Sequence, residues 1–206
     1  EHRENVAYWH MAHSFVRGHW RNAGLSSRMI LAKCCHDLDI LYWNMGMSVS
    51  KLQSFGSLMH FRSENLPPGA TMRCTDGCPV ECKYDARRLY MRPEITGWPV
   101  TAVTEDLSPE GRWRALQTGP YGRCVWRCDN DVVDTQTVNM EFPSGATMTL
   151  FMHGHSYEEQ RTMRYDGTRA TLRGKFDYAG GVIEIHDHLT QRCEVVDLAS
   201  GPSGHG

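Results

Sequence analysis

Apolar residues recur at helical spacing through residues 26–46, SSRMILAKCCHDLDILYWNMG, and this pattern predicts one helix. Ser26 or Ser27 can cap its start, because a serine hydroxyl accepts a hydrogen bond from a backbone N–H that the first turn leaves unpaired. Gly46 can end the helix in the left-handed conformation. The side chains predicted to form its buried surface are Met29, Leu31, Cys35, Leu38, Leu41, Tyr42 and Met45.

Alternation of apolar and polar residues predicts strands on both sides of this helix. An early helix followed by sequential strands is typical of an α+β fold with a largely antiparallel sheet. Two further short helices are expected at 85–91 and 109–118. The predicted strands are 5–12, 51–61, 137–142, 146–153, 182–188 and 193–198, and a turn at Pro143-Ser144-Gly145 joins the third and fourth into a hairpin.

Composition narrows the class of protein. At 206 residues the chain can bury a real core, and its net charge of -2 gives no basis for binding nucleic acid. No apolar run has the length of a membrane span, and no signal peptide opens the sequence, so we expect a cytoplasmic protein with no membrane partner. The chain begins with Glu-His-Arg, which indicates a piece of a longer protein. Neither GxGxxG nor a Walker pattern is present, so a nucleotide would have to be bound elsewhere.

Three ionisable residues of the predicted helix lie three positions apart. Lys33, His36 and Asp39 can therefore share one side, where a cation, an imidazole and a carboxylate would form a proton-transfer group. The alternative is a solvated helix face that carries a Lys33–Asp37 ion pair.

The helix KCCHDLDILYWNMG, its flanking strands and the stretches CTDGCPVEC and RCVWRCDNDVVDTQ resemble the C-terminal domain of the Gfo/Idh/MocA oxidoreductases. This resemblance implies an open, largely antiparallel sheet with helices on one face, the C-terminal domain of a two-domain dehydrogenase. Residues 1–206 would then be a single substrate and oligomerisation domain. An N-terminal Rossmann domain, absent from this chain, would bind NAD or NADP. The expected function is the substrate-binding and catalytic portion of an NAD(P)-dependent oxidoreductase that acts on a sugar or cyclitol.

The resemblance also implies roles for individual residues. His36 matches the family's catalytic histidine. The family often has an aspartate four residues earlier, but Ala32 stands there, so Lys33 or Asp39 would have to assist. Aromatic rings stack on sugar C–H faces, and guanidinium and carboxylate groups bind hydroxyls. The candidates for orienting the substrate are Arg17, Trp20, Asp129 and Asp131. The alternatives are a surface loop anchored by Trp20 and carboxylates that cap a strand end.

The eight cysteines are clustered rather than spread like a disulfide framework. Cys74, Cys78 and Cys82 are spaced Cys-x3-Cys-x3-Cys in a loop, which can wrap three thiolates around a structural zinc ion. The fourth ligand stays open among Cys34, Cys35, Cys124, Cys128 and a histidine. The alternative is a loop packed by reduced cysteines.

Two other functions stay open. His153, His155 and Glu159 have a spacing that suits a metal-binding, cupin-like β protein. The chain can also be a non-catalytic module whose sheet mediates assembly. One broad sheet face is expected to be free, so we expect a homo-oligomer through the sheet.

Overall fold

The computed structural model describes residues 1–198 and divides into two compact units. Unit 1 comprises Glu1–Ala7, Cys34–Phe55 and the chain from Gln136 onward. Unit 2 comprises Tyr8–Lys33 and Gly56–Thr135. That residues 1–206 act as one substrate and oligomerisation domain stays a prediction.

Unit 1 carries an open eight-stranded sheet with the strand order β2-β3-β4-β1-β5-β6-β7-β8. Strand β1 pairs in parallel with β4 and antiparallel with β5, and the pairs from β5 to β8 are all antiparallel. The predicted α+β fold with an open, largely antiparallel sheet is therefore confirmed. The strands are β1 His2–Ala7, β2 Lys51–Ser57, β3 Thr135–Glu141, β4 Thr147–Ser156, β5 Gln160–Asp166, β6 Ala170–Asp177, β7 Gly180–Asp187 and β8 Cys193–Asp197.

The predicted hairpin forms as β3 and β4. Gly145 adopts a φ of 82°, which an L side chain rarely adopts, and the Phe142 amide donates to the Ala146 carbonyl over 2.9 Å. Along β4 the buried side chains alternate at Met148, Leu150 and Met152, as the period of a strand requires.

The predicted strand over residues 5–12 is wrong beyond Ala7. The chain turns at Tyr8 into α1 (Tyr8–His10) and continues as a π-helical segment, Met11–Arg17. Every residue of that segment is buried, including the polar His13, Ser14 and Arg17, so its polar positions do not mark a solvent-exposed helix face.

The predicted single helix over residues 26–46 consists of two helices, α2 (Met29–Ala32) and α3 (Cys35–Met45). Cys34 interrupts them with a φ of -99° and a ψ of 12°. Neither serine caps the start, because Arg28 precedes α2 and makes no capping bond. Gly46 ends α3 as predicted, with a φ of 62°.

The buried face of α3 differs from the predicted apolar stripe. It buries Asp37 and Leu41, which lie four residues apart, while Cys35 and Tyr42 are exposed. A carboxylate therefore occupies a position on the inner face that an apolar residue would ordinarily fill.

Unit 2 is built from short helices and loops around a core of Tyr90, Val100, Leu116 and Tyr121. The α-helices of its Gly56–Thr135 segment are α4 (Ala86–Tyr90) and α5 (Pro109–Thr118), and both predicted helices are thus present. The 3-10 turns are His19–Arg21, Ser63–Asn65, Val100–Ala102, Pro120–Gly122 and Val125–Arg127.

Arg112 holds the loops around α5 together. Its buried guanidinium donates to four backbone carbonyls, those of Leu107, Tyr90, Arg92 and Ile95, over 2.7 to 3.1 Å. A single side chain thus supplies hydrogen bonds to backbone carbonyls that are not paired within a helix or strand.

None of the helices formed by residues 1–198 has the length and apolar character that crossing a membrane requires.

Candidate functional site

The first turn of α3 carries an exposed histidine next to a buried aspartate. His36 is exposed, whereas Asp37 is completely buried. The Asp37 Oδ1 atom lies 2.6 Å from His2 Nε2 and accepts a hydrogen bond from Arg161 Nε over 2.9 Å. Arg161 Nε also lies 2.7 Å from a carboxylate oxygen of Glu4. We name these four side chains, His2, Glu4, Asp37 and Arg161, the acid–base cluster.

Strand register explains why these groups meet. Glu4 on β1 lies directly opposite Arg161 on β5, and His2 is two residues before Glu4, so it faces the same side of the sheet. Asp37 approaches that side from α3. The cluster therefore ties the start of α3 to two central strands of unit 1.

Charge pairing keeps Asp37 and Arg161 ionised despite their burial. Burial acts to raise the pKa of Asp37, but the hydrogen bond from His2 and the charge of Arg161 lower that pKa below its usual value. Burial acts to lower the pKa of Arg161, and the charges of Glu4 and Asp37 raise it above its usual value. Asp37 is therefore a carboxylate at neutral pH.

The structure separates the row that helical spacing predicted. His36 and Asp39 lie three residues apart on α3 and are both exposed. Lys33 is half-buried and follows α2 with a φ of -115°, so regular helical spacing does not continue from Lys33 to His36. The proton-transfer role of the three residues stays a prediction.

Trp20, Asp129 and Asp131, which the sequence analysis proposed as substrate ligands, belong to two adjoining segments of unit 2. Asp129 Oδ1 accepts from Arg21 Nε over 2.9 Å and from Arg123 Nη1 over 2.8 Å. The hydrogen bond from Arg21, and next that from Arg123, hold the pKa of Asp129 well below its usual range although burial opposes this. Two guanidinium groups thus share one carboxylate.

Asp131 joins the same segments through the backbone. Its Oδ1 accepts from the Ala23 amide over 2.7 Å, and its own amide donates to the Arg21 carbonyl over 3.0 Å. Trp20 is half-buried, with its ring 4.7 Å from that of His19. A substrate role for these residues stays a prediction.

The structure places Arg17 in a buried environment. Its side chain is 1% exposed and donates to the carbonyls of Arg123 and Tyr84 over 2.8 and 2.7 Å. Arg17 Nη2, the nitrogen that donates to Tyr84, also lies 3.6 Å from Cys74 Sγ. Its guanidinium is therefore part of the interior of unit 2, and its binding of a polyol stays a prediction.

The cysteines of the loop do come together, but not as a metal centre. Cys74, Cys78 and Cys82 line one small cavity with Cys124, and all eight cysteines are free thiols. Within residues 1–198, no three His, Cys, Asp or Glu side chains are arranged to hold a metal ion. The geometry therefore does not support the predicted zinc site.

Two of the residues proposed for a cupin-like metal site, His153 and Glu159, form hydrogen bonds with residues of β1. His153 Nε2 lies 3.0 Å from Asn5 Oδ1, and Glu159 accepts from the Ala7 amide over 2.7 Å. These contacts connect β4 and the following turn to β1, and the part of the chain described has no metal arrangement there.

Sequence reasoning missed most of the acid–base cluster. Its members are separated by up to 159 positions, so no local spacing links them. One signal was available, since Asp37 stands four residues before Leu41 on the apolar side of α3.

Searches against protein families and against curated proteins found no match. Among solved structures, the chain is similar to a protein from Desulfitobacterium hafniense DCB-2 that carries the provisional name NADPH-dependent oxidoreductase, with 10% identity and a TM-score of 0.48. The match covers 96% of this chain and 40% of that protein, so the chain spans less than half of its length.

Proposed function

We propose that this chain is the substrate-binding and catalytic portion of an NAD(P)-dependent oxidoreductase that acts on a sugar or cyclitol. The observation that supports this most directly is the pairing of an exposed His36 with a buried, ion-paired Asp37 in one helical turn. The His-Asp-x-Asp motif resembles that of the Gfo/Idh/MocA oxidoreductases. In this pairing its histidine is available to a substrate and its first aspartate holds the helix turn in place.

His36 is the proposed proton acceptor. An imidazole nitrogen would take the proton of a substrate hydroxyl as the carbon beneath it is oxidised. Asp37 is a positioning residue, because it fixes the turn from which the imidazole projects. Asp39, exposed three residues later, can accept a hydrogen bond from a second hydroxyl of the same substrate.

The turn after β1 lacks the features that bind a dinucleotide. The turn after β1 passes directly from Ala7 to Tyr8, with no glycine that would let the backbone approach a pyrophosphate. NAD or NADP, held by another part of the complete protein, would supply the hydride acceptor. Binding the polyol and removing its proton are the steps that this chain would perform.

The test uses the protein encoded by the complete gene, NAD⁺ or NADP⁺, and a panel of sugars and cyclitols. We expect substrate-dependent formation of reduced nicotinamide, followed by absorbance. His36→Ala should lower kcat by about 10²–10⁴-fold, as loss of a general base does. His188→Ala is the matched control, because His188 is an exposed histidine that bonds Thr171.

The possible results are distinct. No reduced nicotinamide with any substrate from the wild-type protein would contradict the proposed function. Activity of His36→Ala equal to that of His188→Ala would leave the function intact and remove His36 from the chemistry.

A further inference from the structure

Four thiols of unit 2 converge on one cavity from two separate stretches of the chain. Arg73 and Arg123 form an isolated antiparallel bridge. The Cys74 amide donates to the Gly122 carbonyl over 2.9 Å, and the Cys124 amide donates to the Met72 carbonyl over 3.0 Å. Since side chains alternate along paired strands, Cys74 and Cys124 face the same side of this bridge. Cys78 and Cys82 follow Cys74 in the loop and line the same cavity.

A buried cation lies among these sulfur atoms. Arg17 Nη2 is 3.6 Å from Cys74 Sγ and 2.7 Å from the Tyr84 carbonyl, and the Tyr84 amide is 3.3 Å from Cys82 Sγ. Arg17 therefore places a positive charge beside the Cys74 thiol. The thiolate is the reactive form of cysteine.

The remaining lining restricts what can enter. Val80, Val125 and Trp126 make the wall mostly apolar, and the enclosed space admits only molecules about the size of water. Sugars, nucleotides and peptides are too large for it. Hydrogen peroxide is a small, uncharged oxidant, and it can reach the half-exposed Cys78 at the edge of this space.

The four thiols differ in their readiness to react. Cys74 and Cys124 are buried, whereas Cys78 is half-exposed. Burial acts to raise the pKa of Cys78, but hydrogen bonds at Thr71 and Val80 and the charge of Arg87 lower the pKa below its usual value. Burial raises the pKa of Cys82 and of Cys124, which keeps those thiols protonated.

We propose that this cavity is a peroxide-reactive thiol site, in which Cys78 attacks the peroxide and one of the other three thiols closes a disulfide with it. The Cys78 thiolate attacks one peroxide oxygen, so an S–O bond forms, the O–O bond breaks and hydroxide leaves. The second thiol attacks the sulfenic sulfur, so an S–S bond forms and the S–O bond breaks. The leaving oxygen takes up protons and departs as water. In total two thiols are oxidised by two electrons, and one peroxide becomes two waters.

The test treats the reduced 206-residue chain with one equivalent of hydrogen peroxide. Free thiols are then alkylated, and peptides are mapped by mass spectrometry without reduction. A parallel sample contains dimedone, which traps sulfenic acid. We expect dimedone on Cys78 and an intramolecular disulfide that joins Cys78 to Cys74, Cys82 or Cys124. Cys78→Ser should oxidise at least about tenfold more slowly.

Cys35 and Cys193 provide the matched controls, because both are exposed thiols that do not line the cavity. Cys193 is the stricter one, since its sulfur lies 3.9 Å from His186 Nε2. Cys35→Ser and Cys193→Ser should oxidise at the wild-type rate. Circular dichroism of each variant shows whether it is folded before the rates are compared.

Three results would overturn the proposal. The first is dimedone on Cys35 or Cys193 before Cys78 in the wild-type chain, which needs no variant and so does not depend on folding. The second is a wild-type oxidation rate in folded Cys78→Ser. The third is a stoichiometric metal ion in the purified chain that is released when the cavity thiols are alkylated, because that would make the cluster a metal site.

Discussion

Asp37→Ala tests whether the acid–base cluster holds the start of α3 on the sheet. The carboxylate is completely buried and is shared by His2 and Arg161, at 2.6 and 2.9 Å. Removing it leaves the buried imidazole of His2 without its partner. It also removes one of the two carboxylates that balance the positive charge of Arg161. We therefore expect a large loss of stability from a single exchange of one small side chain for another.

The structure sets the size of the loss. Removing one partner of a buried ion pair costs about 3–5 kcal/mol. We expect the lower end, about 3 kcal/mol, because Arg161 is 21% exposed and keeps Glu4 at 2.7 Å. In a chain of this length that loss corresponds to a fall in Tm of about 6–12 °C. Asp37→Asn should cost about half as much, since its amide oxygen can still accept a hydrogen bond.

Urea unfolding followed by far-UV circular dichroism measures these differences. Asp39→Ala is the matched control, because it removes an exposed carboxylate from the same helix and should change stability by less than about 0.5 kcal/mol. Equal losses in Asp37→Ala and Asp39→Ala would refute the anchoring role of the cluster.

The same cluster makes a prediction about pH. Because the pKa of Asp37 is lower in the folded chain than its usual 3.8, its contribution to stability is fully present above that value. The contribution is lost as the pH falls through the folded pKa. The difference in unfolding free energy between the wild-type chain and Asp37→Asn should therefore be smaller at pH 3 than at pH 5. A larger difference at pH 3 would contradict the sign of the shift.

Two further predictions concern unit 2. Burial lowers the pKa of His13 from 6.5 to about 3. The contribution of the neutral imidazole to the free energy of unfolding should therefore be fully present above pH 6.5 and should fall by about 2 kcal/mol at pH 5. Urea titrations should show this loss reduced in His13→Gln and unchanged in the exposed control His188→Gln. If His13→Gln and His188→Gln show the same fall in unfolding free energy at pH 5, the buried imidazole is not the source of that fall. Gly122→Ala should cost at least about 3 kcal/mol, because the new Cβ would lie 1.8 Å from the Leu116 carbonyl oxygen and the backbone would have to move. Gly97→Ala, which meets open space, should unfold within about 1 kcal/mol of the wild type, and similar results for the two glycines would contradict the close approach.

Local patterns predicted the elements that local forces determine. The hairpin of β3 and β4 and the end of α3 depend on glycines with positive φ, Gly145 and Gly46, and these glycines are visible in the sequence. The helix α5 begins where Ser108 caps it, with Pro109 in the first turn, and both are strong start signals. These elements needed no knowledge of distant residues.

Long-range contacts determined what the sequence could not reveal. Helical spacing continues through Cys34 without a break, yet that residue is fully buried with a non-helical ψ. Arg17 has the sequence context of a surface ligand, but its contacts lie 57 to 106 positions away. Periodicity ranks residues by polarity, so it assigns a buried charge to the surface unless the charge's partners are known.

The motif His-Asp-x-Asp shows how neighbouring residues can have opposite tasks. Successive residues of a helix point about 100° apart, so α3 can expose His36 and bury Asp37 within one turn. Spacing of three links His36 to Asp39 on the exposed side, and spacing of four links Asp37 to Leu41 on the buried side. The exposed row of His36 and Asp39 therefore alternates along the sequence with the buried row of Asp37 and Leu41, which anchors the helix. A base presented from such a turn has its backbone fixed by the residue next to it, which is the arrangement that positioning a proton acceptor requires.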